Sequence, residues 1–238
     1  SNHSGLFSEI IDFGNINCED GNLEITQQEL AEAISELLSA NFFPIVMGGG
    51  HDIAYGHYNG IRKFVQNDRI GIINFDAHFD LRKFEGQSTS GTPFYQIAND
   101  CSNSNKEFKY MCLGVQPLSN TPVLFKTANE FDVEYIERSE FNLANFQQIQ
   151  ERVSSFVANV DHLYITIDLD GFAASIAPGV SAPSPFGYDV ELVLKVLDLL
   201  LESGKIISMD IAELNPQFDI DGHTARLAAY LIGYVIQH

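Results

Sequence analysis

Three side chains that can bind a cation or carry a proton recur at every second position in "GIINFDAHFDLR", residues 71–82: Asp76, His78 and Asp80. A second run, "TIDLD", spaces Asp168 and Asp170 in the same way. Side chains two apart in an extended chain project to one face, so each run gathers its polar groups on a common side if the strand persists to its end. That much negative charge in one place is unfavourable unless the carboxyls take up protons or a cation lies among them. Carboxylates with imidazoles suit divalent metals of intermediate hardness such as manganese, whereas thiolates would point to zinc or iron–sulfur. Any one of these aspartates alone reads as a helix cap or loop residue, and His78 alone as a hydrogen-bonded core histidine. The joint spacing in two runs favours the metal.

Two further motifs carry candidate chemistry. In "MGGGHDIAYGH", Gly48, Gly49 and Gly50 let the backbone turn out of a strand and leave His51 at the mouth of a helix. The run lacks the spacing of a nucleotide-binding glycine loop. His57, inside the helix, reads as packed or solvent-facing. In "SMDIAELNP", Asp210 and Glu213 end another apolar run and, three apart, do not share a strand face. Glu213 reads either as an unligated carboxylate for a cationic substrate nitrogen or as a brace for the loop into "NP".

The elements that must position these residues alternate between short apolar runs and segments of helical period, the mark of a parallel sheet wrapped by helices. Seven strands are expected: "SEIIDFG", "FPIVMGG", "RIGIINFDA", "KYMCLGV", "VEYIE", "HLYITIDLD" and "KIISMDIAE". Helices are expected over residues 26–40, 53–66, 143–160, 188–203 and 221–237, the fourth with a stripe of Val190, Leu194, Leu197 and Leu201. Loops are expected at "FEGQSTSGTP" and at the long "GFAASIAPGVSAPSPFGY", which follows directly on "TIDLD" and reads as functional or mobile. Both aspartate runs close an apolar run, so they fall at the carboxyl ends of strands, where open α/β sheets gather their ligand sites.

The whole chain, 1–238, reads as a single α/β domain without repeats or linkers. Its 32 acidic and 13 basic residues give a net charge of -19, which excludes nucleic acid or an anionic membrane surface as the main partner. The three cysteines, Cys18, Cys101 and Cys112, have neither disulfide nor zinc spacing, so a reducing, cytoplasmic setting is expected. No apolar run is long enough to cross a bilayer, and the first residues carry no signal-peptide pattern.

"GGGHD", "NFDAHFD", "TIDLDGF…APGVSAPSP" and "MDIAELNP" resemble, in order and separation from about position 44 to the C-terminus, the ureohydrolases, the arginase and agmatinase group of binuclear manganese hydrolases. The resemblance implies a three-layer α/β/α arginase-like fold with a mostly parallel sheet of seven to eight strands. It implies two Mn2+ ions per subunit: His51 and Asp80 on one, His78 and Asp170 on the other, Asp76 and Asp168 on both. It also implies a trimer or hexamer and a small-molecule substrate whose cationic end meets Glu213. Within the group, "GHYNG", "SGTPF" and "HTARLAAYLI" resemble the members that split N-formimidoyl-L-glutamate into L-glutamate and formamide in histidine degradation. Arg82 stands just after the metal motif, where its guanidinium would hold a substrate carboxylate or, alternatively, form a surface salt bridge.

Two departures accompany the resemblance. Where arginases and agmatinases carry a histidine after the metal motif, "STSGTPF" offers Ser90 or a neighbour, which leaves proton transfer to Asp80, a hydroxyl or water. The chain is also expected to lack an N-terminal strand and loop usual in the family, whether by truncation, disorder or loss. The expected reaction is water attack on the formimidoyl carbon, with Glu213 orienting the cation and Asp80 passing a proton to the departing nitrogen. The alternatives are another ureohydrolase activity (agmatinase, arginase or guanidino-acid hydrolase) and a non-catalytic metal-binding relative.

Overall fold

The structure, a computed structural model, describes residues 10–18 and 21–238. Six parallel strands form one sheet in the order β1-β6-β5-β2-β3-β4: β1 Ile45–Met47, β2 Ile70–Phe75, β3 Lys109–Val115, β4 Glu134–Glu137, β5 His162–Asp168 and β6 Ile206–Ala212. Seven helices surround it: α1 Leu23–Ser39, α2 Ile53–Val65, α3 Pro93–Asn103, α4 Pro122–Glu130, α5 Phe146–Ala158, α6 Val190–Glu202 and α7 His223–Gln237.

Alternation along the central strands separates the two faces. On β2, Ile70 and Ile72 pack with α1 to α4, while Ile73 and Phe75 pack with α5 to α7. On β5, Leu163, Ile165 and Ile167 join the second core, and Tyr164 turns to the first. The three-layer α/β/α architecture follows. Because α3 lies on one face and α6 on the other, the crevice at the carboxyl ends of adjacent β2 and β5 is a topological switch point, where such sheets bind ligands.

The structure corrects the expected element list in four places. Six strands, not seven or eight, are found among the described residues. Of "SEIIDFG", residues 10–14 form no strand and are exposed, and Ser8 and Glu9 lie outside the described residues. α3 and α4 were not expected. The stripe of α6 is rotated: Leu192, Val193, Val196, Leu197 and Leu200 are buried, whereas Val190, Leu194 and Leu201 are only partly so. Its sequence "VELVLKVLDLLLE" is apolar nearly all round, so period alone does not fix the inward face. The long loop after β5 packs firmly: Phe172, Ala177, Val180 and Tyr188 are buried, and bridges join Phe172 to Tyr188 and Ala173 to Ser184.

Candidate metal centre

β2 ends at Phe75, so Asp76, His78 and Asp80 stand on the loop beyond it and not on a continued strand face. They converge for a different reason. Asp76 N still donates to Leu113 O of β3 at 3.0 Å, and Gln116 N donates to Ala77 O at 2.9 Å, which holds the loop against the neighbouring strand. The chain then turns at Asp80, whose φ of 48° lies in the left-handed region that non-glycine residues seldom occupy. Asp168 ends β5, and Asp170 sits in the 3-10 turn Leu169–Gly171. His51 precedes α2, its carbonyl accepting from Ala54 N at 3.1 Å.

These side chains form two donor groups. In the first, His51 Nδ1 lies 3.1 Å from Asp76 Oδ2, 2.9 Å from Asp80 Oδ2 and 3.1 Å from Asp168 Oδ2. In the second, His78 Nδ1 lies 3.4 Å from Asp76 Oδ1 and 3.2 Å from Asp170 Oδ2. Asp76 therefore offers one oxygen to each group. Asp168, expected to serve both, faces the first with Oδ2 while its Oδ1 accepts from Asp170 N at 2.8 Å. The carboxylate common to both groups is itself held: Asn74 Nδ2 donates to Asp76 Oδ2 at 3.0 Å, and His78 N to Asp76 Oδ1 at 2.7 Å.

The donor set fits a metal on an observation independent of composition. His51 Nε2 is engaged with Thr166 Oγ1 at 2.8 Å, while Nδ1 is buried, ringed by three carboxylate oxygens and without a hydrogen-bond partner among the described residues. Asp170 Oδ1 is likewise buried and unpartnered. An imidazole whose far nitrogen is fixed by a hydroxyl, and whose near nitrogen faces oxygens it does not bond, is set up to ligate.

The electrostatics agree. Burial and the Asp76 charge push the Asp80 carboxyl up to about 6. Burial and Asp168 push Asp170 well above the carboxylate range. Asp168 is raised too, by burial and Asp76. Burial opposes ionisation of Asp76, but His51 and His78 on either side hold it below its ordinary value. Burial opposes protonation of His78, yet Asp170 and Asp76 prevail and raise it to about 12. Carboxyls crowded into a dry site thus compete for protons that a divalent cation would replace.

Glu213, just past β6, has a φ of 67° and accepts from His51 N through Oε1 at 2.9 Å. Burial and the Asp168 charge push it up to about 7. Both sequence readings of Glu213 find support: it braces the His51 turn, and it borders the site. A methyl group built on Gly50 would come within 3.4 Å of Glu213 Oε1 and 3.5 Å of Ser90 Cβ, so Ser90 lies on the same rim. Arg82 is exposed; its N donates to Gly91 O at 2.8 Å and its side chain lies over Gly91. No carboxylate pairs with its guanidinium among the described residues, against the surface salt-bridge reading. His57 is buried, and Thr166 and Asn74, not expected at the site, hold His51 and Asp76. Asn74 and Thr166 were legible only as the residues two before Asp76 and Asp168.

A parallel sheet that carries two donor groups with a common carboxylate on its carboxyl rim has the construction of a metal-dependent α/β hydrolase. Comparison with known proteins gives the family: the model described as "Arginase family" matches residues 4–237, and the chain belongs to that family. It is 42% identical to the formimidoylglutamase of Chromobacterium violaceum over 96% of this chain and 74% of the relative. It is 46% identical to that of Vibrio cholerae, over 93% and 69%. A solved formiminoglutamase of Trypanosoma cruzi with manganese shares the fold, with a TM-score of 0.82 at 23% identity, covering 95% of this chain and 74% of that one. Among the described residues, no helix is long and apolar enough to cross a membrane.

Proposed function

We propose that this protein hydrolyses N-formimidoyl-L-glutamate to L-glutamate and formamide with two manganese ions. His51, Asp76, Asp80 and Asp168 would hold one ion, and Asp76, His78 and Asp170 the other. The observation that carries the substrate is the 42% and 46% identity to two formimidoylglutamases over more than nine tenths of the chain. The manganese-containing structural neighbour supports the choice of metal.

When bound, the metal supplies Lewis acidity and activates water at neutral pH. The protein's own groups do the rest. Glu213, pushed up to about 7 by burial and Asp168, gains from a cationic partner and so orients the formimidoyl nitrogen. Arg82, exposed and free of a carboxylate partner among the described residues, grips the glutamate carboxylate with its planar fork. Asp80 is placed to carry a proton to the departing amine, with Ser90 on the rim as a polar neighbour. Three free cysteines support a cytoplasmic setting, and the family resemblance supports a trimer or hexamer.

The test is product release from manganese-reconstituted protein given N-formimidoyl-L-glutamate, beside arginine, agmatine and guanidinobutyrate. Formamide and glutamate from the first substrate, without urea from the others, is expected. Urea from any guanidine at a comparable kcat/KM would replace this reading with the wider ureohydrolase one.

A further inference from the structure

Beneath the donor groups lies a second polar cluster that takes no part in holding metal. His57 of α2 meets Asp210 Oδ2 through Nδ1 at 2.6 Å and Ser208 Oγ through Nε2 at 2.5 Å. Tyr164 donates to the same Asp210 oxygen, its ring tilted against that of His57 with centroids 4.5 Å apart. Ser208 Oγ donates to Pro44 O at 2.9 Å. The order Ser–His–Asp is that of a nucleophilic triad, yet His57, Asp210, Ser208 and Tyr164 are all inaccessible and the serine proton is committed to a backbone carbonyl. No substrate reaches it, so its role is positional.

What it positions follows from connectivity. His57 lies in the helix whose mouth carries His51. Its partners lie on β5 and β6, where Thr166, the contact of His51 Nε2, is paired in register with Asp210. An adjoining face of α2 is pressed onto α1: a methyl on Gly56 would stand 2.5 Å from Gln27 O, and one on Gly60 2.6 Å from Ile34 Cβ. Gln27 Nε2 also donates to Asp52 O at 2.8 Å, beside His51. The His51 turn is therefore gripped between α1 and the sheet, and His57 makes the polar attachment on the sheet side. Only the first donor group draws on α2; Asp76, His78 and Asp170 all come from the ends of β2 and β5.

We propose that His57, through Asp210 and Ser208, is a positioning residue that pins α2 to β5 and β6 and so sets His51 Nδ1 among Asp76, Asp80 and Asp168. The inference rests on the two-metal reading above and adds an asymmetry to it: disturbing His57 weakens one ion and spares the other.

The experiment is manganese titration of the metal-depleted full chain followed by electron paramagnetic resonance, on wild type, His57→Phe, His57→Gln and Asp210→Asn, with Tm as the check of folding. Wild type binds two ions with the coupled signal of a pair. His57→Phe weakens one ion by roughly tenfold or more, the scale of losses when groups behind a ligand are removed, and an isolated-ion signal replaces the coupled one. His57→Gln, whose amide NH2 keeps a donor for Asp210, retains more of the affinity than His57→Phe. Asp210→Asn keeps the volume and repeats the loss at the same ion, which covers the case of His57→Phe failing to fold. Two ions bound as in wild type by either disruptive variant, or both ions weakened together with a fall in Tm, would overturn the proposal. Wild type that binds fewer than two ions overturns the two-metal reading as well, and is seen before any variant is measured.

Discussion

His51 Nδ1 and Asp76 Oδ2 lie 3.1 Å apart in a fully buried setting without a hydrogen bond between them. With His51 Nε2 already engaged by Thr166, this near-contact places an imidazole nitrogen and a carboxylate oxygen at one point. Asp76 repeats the arrangement toward His78 with its other oxygen, which ties the two donor groups into one centre.

Asp76→Ala removes a donor from both groups at once. Loss of a group behind a ligand costs about 10- to 100-fold in metal affinity, so losing this shared ligand costs more than about 100-fold and takes activity with it. Asp168→Ala strips the first group in the same way. Elemental analysis after gel filtration checks both, and a full manganese complement in Asp76→Ala would refute the shared assignment.

Arg82→Ala tests the acidic end of the substrate. A hydrogen bond to a charged group is worth about 1.5 to 3 kcal/mol, so KM for N-formimidoyl-L-glutamate should rise roughly 10- to 100-fold with metal content unchanged. Steady-state kinetics decide it: an unaltered KM removes Arg82 from substrate binding.

The legible part of the site was its chemistry. Asp76, His78, Asp80, Asp168, Asp170 and His51 announce themselves by type and spacing, and the strands that carry them by apolar runs. What was not legible depends on distant partners or weak periodicity. His57 lies more than 150 residues from Ser208 and Asp210, and no local pattern marks their contact. α4 is only nine residues long and fully buries only Ala128, while α3 interleaves Phe94, Ile97 and Cys101 with Asn, Asp and Ser, which favour turns over helix interiors. The convergence of Asp76 and Asp80 was foreseen for a strand and arises in a loop, because bonds to β3 and a left-handed turn at Asp80 replace strand alternation.

The stabilisation that metal confers should depend on pH. In the metal-free protein, Asp80 is pushed up to about 6 and Glu213 to about 7, chiefly by burial. A carboxyl with a raised folded pKa holds its proton more tightly when folded, so its contribution is complete below about pH 4 and is lost as pH rises through about 6 to 7. His78, raised by Asp170 and Asp76 against its burial, acts in the same sense above about pH 6.5. Asp76, held low, acts in the opposite sense, but its contribution is complete above about pH 4. The Tm increment from manganese should therefore grow between about pH 5 and pH 8 in scanning calorimetry. An equal increment at both ends would contradict the assignment.

Gly187→Ala probes the loop behind Asp168 and Asp170. A methyl group there would lie 2.0 Å from the backbone carbon of Phe172, which cannot give way as a flexible side chain can. Overpacking of this kind costs about 1 to 3 kcal/mol. Denaturant unfolding should show at least that loss, and a variant as stable as wild type would mean that the loop packs less tightly than described.

The central claim is that two cations share Asp76. Diffraction from manganese-soaked crystals, recorded at the manganese absorption edge, tests it most directly. Two anomalous peaks are predicted, one among His51, Asp76, Asp80 and Asp168 and one among Asp76, His78 and Asp170. A single peak, or none with the six side chains still gathered as described, would contradict the account.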